Sequence, residues 1–359
     1  MKNELAVVFA LCQNSSVNVD ETEKNQPNKE SNKLPVIGIT MGDAAGIGAE
    51  ITLKALADES IKQICVPVII GDTEFLQKTA DDLGLKFDFV ADSTDFSVIS
   101  HQTAVHNLNN LKENITVGED SAVAGKAAAE YIEAAVRLWR EKKIDAISTA
   151  PISKKAIHLG GYNYPGHTEF LAELTDTKEF AMSFFADNLR VVLLSTHVSL
   201  RDAIELVRKD KLVELIKFTH QTISKLLNKN ARIAVAGLNP HASEGGMFGA
   251  EEAREIIPAI EECRGNYGVD VYGAFSPDTI FLRGFKGEFD AVISCYHDQA
   301  TIAVKCLSFG ASVNVTLGLP LVRTSVDHGT AFDIAGKGIA DASSMRAAIK
   351  LAAKLSANS

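Results

Sequence analysis

Six short runs of nearly continuous apolar residues punctuate the chain: Pro35–Thr40, Val66–Ile70, Asp145–Thr149, Arg190–Ser195, Arg232–Gly237 and Asp290–Ser294. Each is too short for a stable helix and too apolar to keep one face wet. That is the pattern of a strand covered on both sides. Between these runs the apolar positions change to a spacing of three and four. Ala122–Glu141 and Asp210–Leu227 show it most clearly and predict amphipathic helices. Strands alternating with helices predict an α/β fold with mostly parallel sheets and right-handed crossovers. The polar stretch Gln13–Lys33 has neither period, so residues 1–33 are expected to be a disordered extension and the fold to begin near Leu34.

The polar residues gather where the predicted strands stop. In open α/β sheets ligands bind beyond the carboxyl ends of strands. Here the strand ends run into Met41-Gly42-Asp43, Ala150–Lys154, His197, His241 and His297-Asp298. In a shared sheet these loops are expected to converge on one edge. His197, His241 and His297 each follow an apolar strand. Three neutral imidazoles with an open fourth position suit a divalent metal such as zinc, whereas any one of them alone reads equally well as a hydrogen-bonded strand cap. Asn239–Gly249 surrounds His241 with glycines that let backbone approach a ligand, and Glu251-Glu252 then opens a helix. In Tyr164–Thr175 a Pro-Gly turn leads into His167-Thr168 at a helix start. Thr168 is the expected N-cap there, and such a terminus also suits a phosphate or carboxylate.

Two further segments bear on a cofactor. Thr40–Glu50 is a strand, a Gly-rich turn and a helix, but glycines 42, 46 and 48 fit neither GxGxxG nor a P-loop. Val313–Asp341 carries Asn314, the permanent cation Arg323 and a Gly-punctuated loop, with Lys305 just before it. From the residues alone this is an anion-binding loop near a candidate metal site.

Length and composition narrow the class. The 359 residues allow two domains or one large α/β unit. No apolar run approaches the ~18 residues of a membrane span. A net charge of -10 without a long basic run argues against nucleic acid and leaves room for a local pocket that takes a small anion. The five cysteines are scattered and lack CxxC spacing, which argues against disulfides and a thiolate zinc site and for a reducing, cytoplasmic compartment. The apolar start "LAVVFALC" is preceded by Glu4 and followed by no small-x-small cleavage site, so it is not expected to be a signal peptide.

"HGTAFDIAGKGIAD" resembles the adenosine-binding loop of the isocitrate and isopropylmalate dehydrogenases. "MGDAAGIGAE", "APISKKAI", "PGHTEF", "LNPHASEGG", "SPDTIF", "YHDQ" and "NVTLGLPLVRTSVDHGTA" together resemble the 4-hydroxythreonine-4-phosphate dehydrogenase family, from about Val36 to Asp341. The resemblance implies a two-domain fold of the isocitrate/isopropylmalate dehydrogenase type with an active-site cleft between domains. A cofactor-side domain would span residues 34–144 plus 311–359, and a metal, substrate and dimerisation domain residues 145–310. It implies metal ligation by His197, His241 and His297, the last shared across a homodimer, and substrate contacts from His167, Thr168, Lys305, Asn314 and Arg323. Lys305 or Asp278 would be the base. Asp298 would orient His297. His328, Gly329, Thr330, Ala331, Asp333 and Asp341 would hold NAD, and the two aspartates would repel the 2′-phosphate of NADP.

The implied ion is divalent, zinc first, with magnesium or cobalt as alternatives. The implied reaction is NAD-dependent oxidation of 4-phosphooxy-L-threonine followed by decarboxylation, in pyridoxal phosphate biosynthesis. Departures from the family pattern, among them the missing prolines of "MGDAAGIGAE", leave room for a sister enzyme acting on D-erythronate or D-threonate 4-phosphate. Two rivals are a phosphate acyltransferase of similar fold and a non-catalytic phosphometabolite sensor.

Overall fold

The computed structural model describes residues 33–357, except 92, 94, 97–101, 113–114 and 309–311. The extension expected before Leu34 therefore lies almost wholly outside the described residues. The strands are β1 (Val36–Thr40), β2 (Val66–Gly71), β3 (Phe89–Ala91), β4 (Thr103–Asn107), β5 (Ala146–Thr149), β6 (Ala181–Ala186), β7 (Leu189–Leu193), β8 (Ile233–Ala236), β9 (Val271–Phe275), β10 (Ala291–Ser294), β11 (Val313–Leu317) and β12 (Val322–Ser325). All six apolar runs are strands. The two most periodic segments are helices, Ala122–Arg140 and Lys209–Leu227.

The strands form one sheet in the order β3-β4-β2-β1-β5-β12-β11-β6-β7-β10-β8-β9. Most neighbours are parallel. Only β12–β11, β11–β6 and β6–β7 are antiparallel. Three reversals in succession turn the second half of the sheet against the first. β1 and β5 therefore run opposite to β7, β10 and β8. The expected convergence on one edge is corrected here: the Met41–Asp43 and Ala150–Lys154 loops share one set of strand ends, and the three histidine loops share the opposite set. Local sequence pattern carries strand identity but no strand direction, which is why the reversal was not anticipated.

The core follows the same division. One hydrophobic cluster holds β1, β2 and β5 together with Leu321, Val326 and one face of the C-terminal helix (Met345, Ile349, Ala352), and includes Phe170. Two others hold β6 to β11. From Leu34 onward the chain forms one compact unit. Among the described residues no helix is long and apolar enough to cross a membrane. Cys65, Cys263 and Cys295 are buried free thiols and Cys306 is an exposed one.

Two close approaches place the loops that matter. Gly125 lies so near the helix Lys154–Leu159 that a Cβ would sit 1.9 Å from the Ala156 carbonyl oxygen, and backbone touches backbone there. Gly46 lies under Thr330, whose carbonyl accepts from the Ile47 N–H at 3.0 Å. The 326–342 segment is thereby fixed on the Gly-rich turn. Glu50 and Lys54 hold its far end: Glu50 Oε1 accepts from the Ala340 N–H, and Lys54 donates to the Gly338 and Ala340 carbonyls.

Candidate active site

The most constrained polar cluster lies where β5, β11 and β12 meet the helix His167–Leu174. Arg323 is 3 % exposed, and its guanidinium donates to Thr316 Oγ1 (3.1 Å) and Thr149 Oγ1 (2.8 Å). Arg323 Nε, His167 Nε2 and Asn314 Oδ1 are buried without a partner. Burial pushes the Arg323 pKa down to about 10, with the Glu169 carboxylate opposing. Burial, and then the Arg323 charge, hold His167 well below its usual range, so it is a neutral imidazole. No carboxylate lies within ion-pair distance of Arg323 among the described residues. A buried cation without an anionic partner is costly, several kcal/mol by order of magnitude. An orphaned Nε on the buried guanidinium, with the unpartnered His167 Nε2 nearby, makes a site prepared for an anion.

Thr168 sits in this cluster, buried, with its Oγ1 3.4 Å from Thr316 Oγ1. The N-cap expectation is corrected: Gly166 is the capping residue, in fully extended backbone that gives no side-chain cap, and Thr168 lies inside the helix. The helix is held down by Phe170, which is buried in the core and stacked on Tyr164 at 4.1 Å. Burying such a ring contributes roughly 1.5–3 kcal/mol.

The histidines sit on the second half of the sheet. The His197 and His297 rings are 5.9 Å apart between centroids. Burial lowers the His197 pKa, Lys154 and His297 lower it further, and Glu169 opposes them. Lys154 and Glu169 follow β5, so this electrostatic contact bridges the two halves of the sheet. Lys154, an exposed residue at the start of Lys154–Leu159, was not singled out as a site residue. Its only sequence signal was its place just past a strand. His297 Nδ1 lies 2.7 Å from Asp298 Oδ1, which orients the ring as expected. His241 Nδ1 is 4.0 Å from Asp278 Oδ2. His241, Ala242, Ser243 and Glu244 all have left-handed φ, from 43° to 64°, a strained run for residues with a Cβ.

Among the described residues no three His, Cys, Asp or Glu side chains close on a single ion within one chain. The chemistry of the donors suits a divalent ion: burial lowers the His197 pKa, which favours the neutral form that binds metal, and its ring lies 5.9 Å from that of His297. Lys305 is exposed on the helix His297–Ser308, two turns beyond His297. Asp278 is exposed, and its Oδ1 accepts from Ser276. In the cofactor-loop candidate, His328, Gly329, Asp333 and Asp341 are exposed, Thr330 and Ala331 are half-buried, and Ala331 has a left-handed φ of 45°. A cavity of about 430 Å³ adjoins this loop at Gly336–Gly338, with Gly46 and Val117 in its wall.

Asp43, part of the polar strand-end loop Met41–Asp43, is fully buried. Its Oδ1 accepts from the Ala45 N–H at 2.9 Å, the Ser153 backbone also donates to the carboxylate, and Oδ2 has no partner. Burial raises its pKa to about 6. A carboxyl raised in the folded state contributes stability below its unfolded pKa and loses it as pH rises through about 6. Asp43→Asn is therefore expected to be more stable than wild type above about pH 6, by about 1–3 kcal/mol, with the difference vanishing towards pH 4. Paired urea melts across this range check it.

Comparison with known proteins gives the class, a dehydrogenase of α/β fold. A family model described as "Pyridoxal phosphate biosynthetic protein PdxA" matches residues 63–352, and the chain belongs to that family. A curated relative, the D-threonate 4-phosphate dehydrogenase of Cupriavidus necator, is 47% identical over 90% of this chain and 98% of its own. A crystal structure of a 4-hydroxythreonine-4-phosphate dehydrogenase from Burkholderia phymatum is 44% identical, with a TM-score of 0.79, covering 90% of this chain and 99% of that one. The corresponding structure from Klebsiella pneumoniae is 38% identical with a TM-score of 0.83, at the same coverage.

Proposed function

We propose that the protein oxidises the C3 hydroxyl of a four-carbon hydroxy acid 4-phosphate with NAD, and that D-threonate 4-phosphate is its substrate. The buried Arg323 with its orphaned neighbours carries the reading: it is a cation waiting for an anionic group. The substrate choice rests on the curated relatives that are 45% and 47% identical over 90% of this chain and are named for D-threonate 4-phosphate, the former as a putative enzyme. The missing prolines of the Gly-rich block agree with a branch apart from the usual pattern. The solved structures described as 4-hydroxythreonine-4-phosphate dehydrogenases support the second reading, 4-phosphooxy-L-threonine.

In this account Arg323, His167 and Asn314 grip one anionic end of the substrate, and Thr168 donates a hydrogen bond. His167, held neutral, hydrogen-bonds without adding charge. His197, His241 and His297 would hold a divalent ion, zinc first, which when bound supplies Lewis acidity that lowers the pKa of a hydroxyl. Asp278 or Lys305 takes the hydroxyl proton, directly or through water. The 328–341 loop with Asp333 and Asp341 would hold NAD, the hydride acceptor. The product is a β-keto acid, whose loss of carbon dioxide follows from its own chemistry.

A homodimer with shared sites completes the proposal. Large exposed apolar side chains follow each histidine: Val198, Leu200 and Ile204 after His197, Met247 and Phe248 after His241, and Ile302 after His297. Apolar surface concentrated around a site suits a covering partner, here a second copy.

NADH formation with the 4-phosphates of D-threonate, D-erythronate and 4-hydroxy-L-threonine tests the assignment. D-threonate 4-phosphate is expected to give the highest kcat/KM, by at least about tenfold. A reversed order would overturn the substrate choice and keep the reaction class. No NADH with any of them would overturn the class.

A further inference from the structure

Lys154 and Glu169 stand exposed near the Arg323 site, and among the described residues neither side chain makes a hydrogen bond or an ion pair. Lys155, next to the first of them, differs: its ammonium pairs with Asp120 Oδ2 at 3.2 Å. A Cβ built on Gly166, the residue before His167, would lie 3.9 Å from Lys154 Cε and 3.3 Å from Glu169 Oε2. The two side chains therefore flank the turn that delivers His167 and Thr168 to the site. Their charges reach further: Glu169 acts on Arg323 and on His197, and Lys154 acts on His197.

The loop that carries Lys154 is fixed from several sides. Ser153 caps the helix Lys154–Leu159, its hydroxyl accepting from the Ala156 N–H at 3.1 Å and donating to Asp120. The Asp43 N–H donates to the Pro151 carbonyl at 3.0 Å, and the Ser153 backbone donates to the Asp43 carboxylate. Thr149, where the loop leaves β5, accepts from Arg323 at 2.8 Å. The lysine stem thus rises from a backbone tied to the guanidinium, while its ammonium stays in water.

We infer that Lys154 is a further substrate-binding residue, whose ammonium shares the substrate's phosphate with the Arg323 guanidinium while the Glu169 carboxylate opposes both. The inference rests on the reading of the buried Arg323 as an anion site. A phosphate monoester carries about −1.5 to −2 charge at neutral pH. One guanidinium balances part of that charge, and Glu169 offsets some of the balance. Lys154 supplies the missing charge from the solvent side. The two cations suit different tasks. Arg323 is a planar, preset fork that already holds Thr149 and Thr316. Lys154 is a point charge on a flexible stem, able to follow an anion as it enters.

Calorimetric titration of the full chain with inorganic phosphate tests the inference without cofactor, metal or turnover. Lys154→Met is expected to bind phosphate about 10- to 100-fold more weakly, and Lys154→Arg to restore most of the affinity. Glu169→Gln is expected to bind about two- to fivefold more tightly, a change of sign that damage to the fold does not produce. Lys155→Met is expected to stay within about twofold of wild type, because its ammonium is already paired with Asp120. Arg323→Met is expected to lose at least as much affinity as Lys154→Met. Wild-type affinity in Lys154→Met, with a loss in Arg323→Met, would overturn the inference and leave the anion site intact. An equal loss in Lys155→Met would reduce the effect to general surface charge and also overturn it. A Glu169→Gln that binds no more tightly would remove Glu169 from the site. No phosphate binding to the wild type, or wild-type affinity in Arg323→Met, would overturn the anion reading as well.

Discussion

Replacing Arg323 by methionine is expected to lower kcat/KM sharply and leave the fold at least as stable as in the wild type. Most active-site cations are exposed or paired, so their removal says little about stability. Arg323 is neither. It is buried, its side-chain hydrogen bonds among the described residues go to the hydroxyls of Thr149 and Thr316, and burial has lowered its pKa to about 10. Methionine fills similar space without charge, and replacing a buried ion with an apolar side chain is commonly neutral or stabilising by about 1–4 kcal/mol. The substrate's anionic group meanwhile loses a charge-assisted partner, which costs about 2–5 kcal/mol of binding. That corresponds to a fall in kcat/KM of roughly 30- to 4,000-fold. Chemical denaturation and steady-state kinetics on the same preparation check both halves. A variant that loses stability and turnover together would make Arg323 a structural residue.

His297→Ala is expected to lower both metal content and turnover. His297 faces His197 and is oriented by Asp298, so on the proposed metal reading its removal takes away a ligand and leaves the Asp298 carboxylate with no imidazole to aim. Lewis-acid assistance is worth several kcal/mol, so turnover should fall by about 10²- to 10⁴-fold. Asp298→Asn keeps a hydrogen-bonding side chain beside Nδ1 and removes its charge, so its loss should be smaller. Metal analysis after dialysis, alongside NADH formation, checks the order wild type, Asp298→Asn, His297→Ala. Full metal content in His297→Ala would remove that residue from the ligand set.

Much of the fold was legible in the chain. The six apolar runs are strands because a buried parallel strand has no polar face to interrupt the run. The helix Ala122–Arg140 follows from its period. The reversal between the two halves of the sheet was not legible: β6, β11 and β12 are not among the six apolar runs, β12 being Val-Arg-Thr-Ser, and direction is fixed by their pairing. At the site, the histidines stood out because imidazoles after strand ends are conspicuous. Arg323 and Asn314 could be named, but the burial of Arg323 could not, and burial is what makes Arg323 informative. Asp43 could be placed in a polar strand-end loop, but its burial could not be read there. Such burial depends on atoms from loops distant in sequence, which no local spacing encodes.

The measurement closest to the central claim is NADH formation from D-threonate 4-phosphate before and after removal of divalent metal. The account predicts a fall of at least about 100-fold on chelation and recovery when zinc or cobalt is returned. Turnover that continues undiminished in metal-free buffer would contradict it.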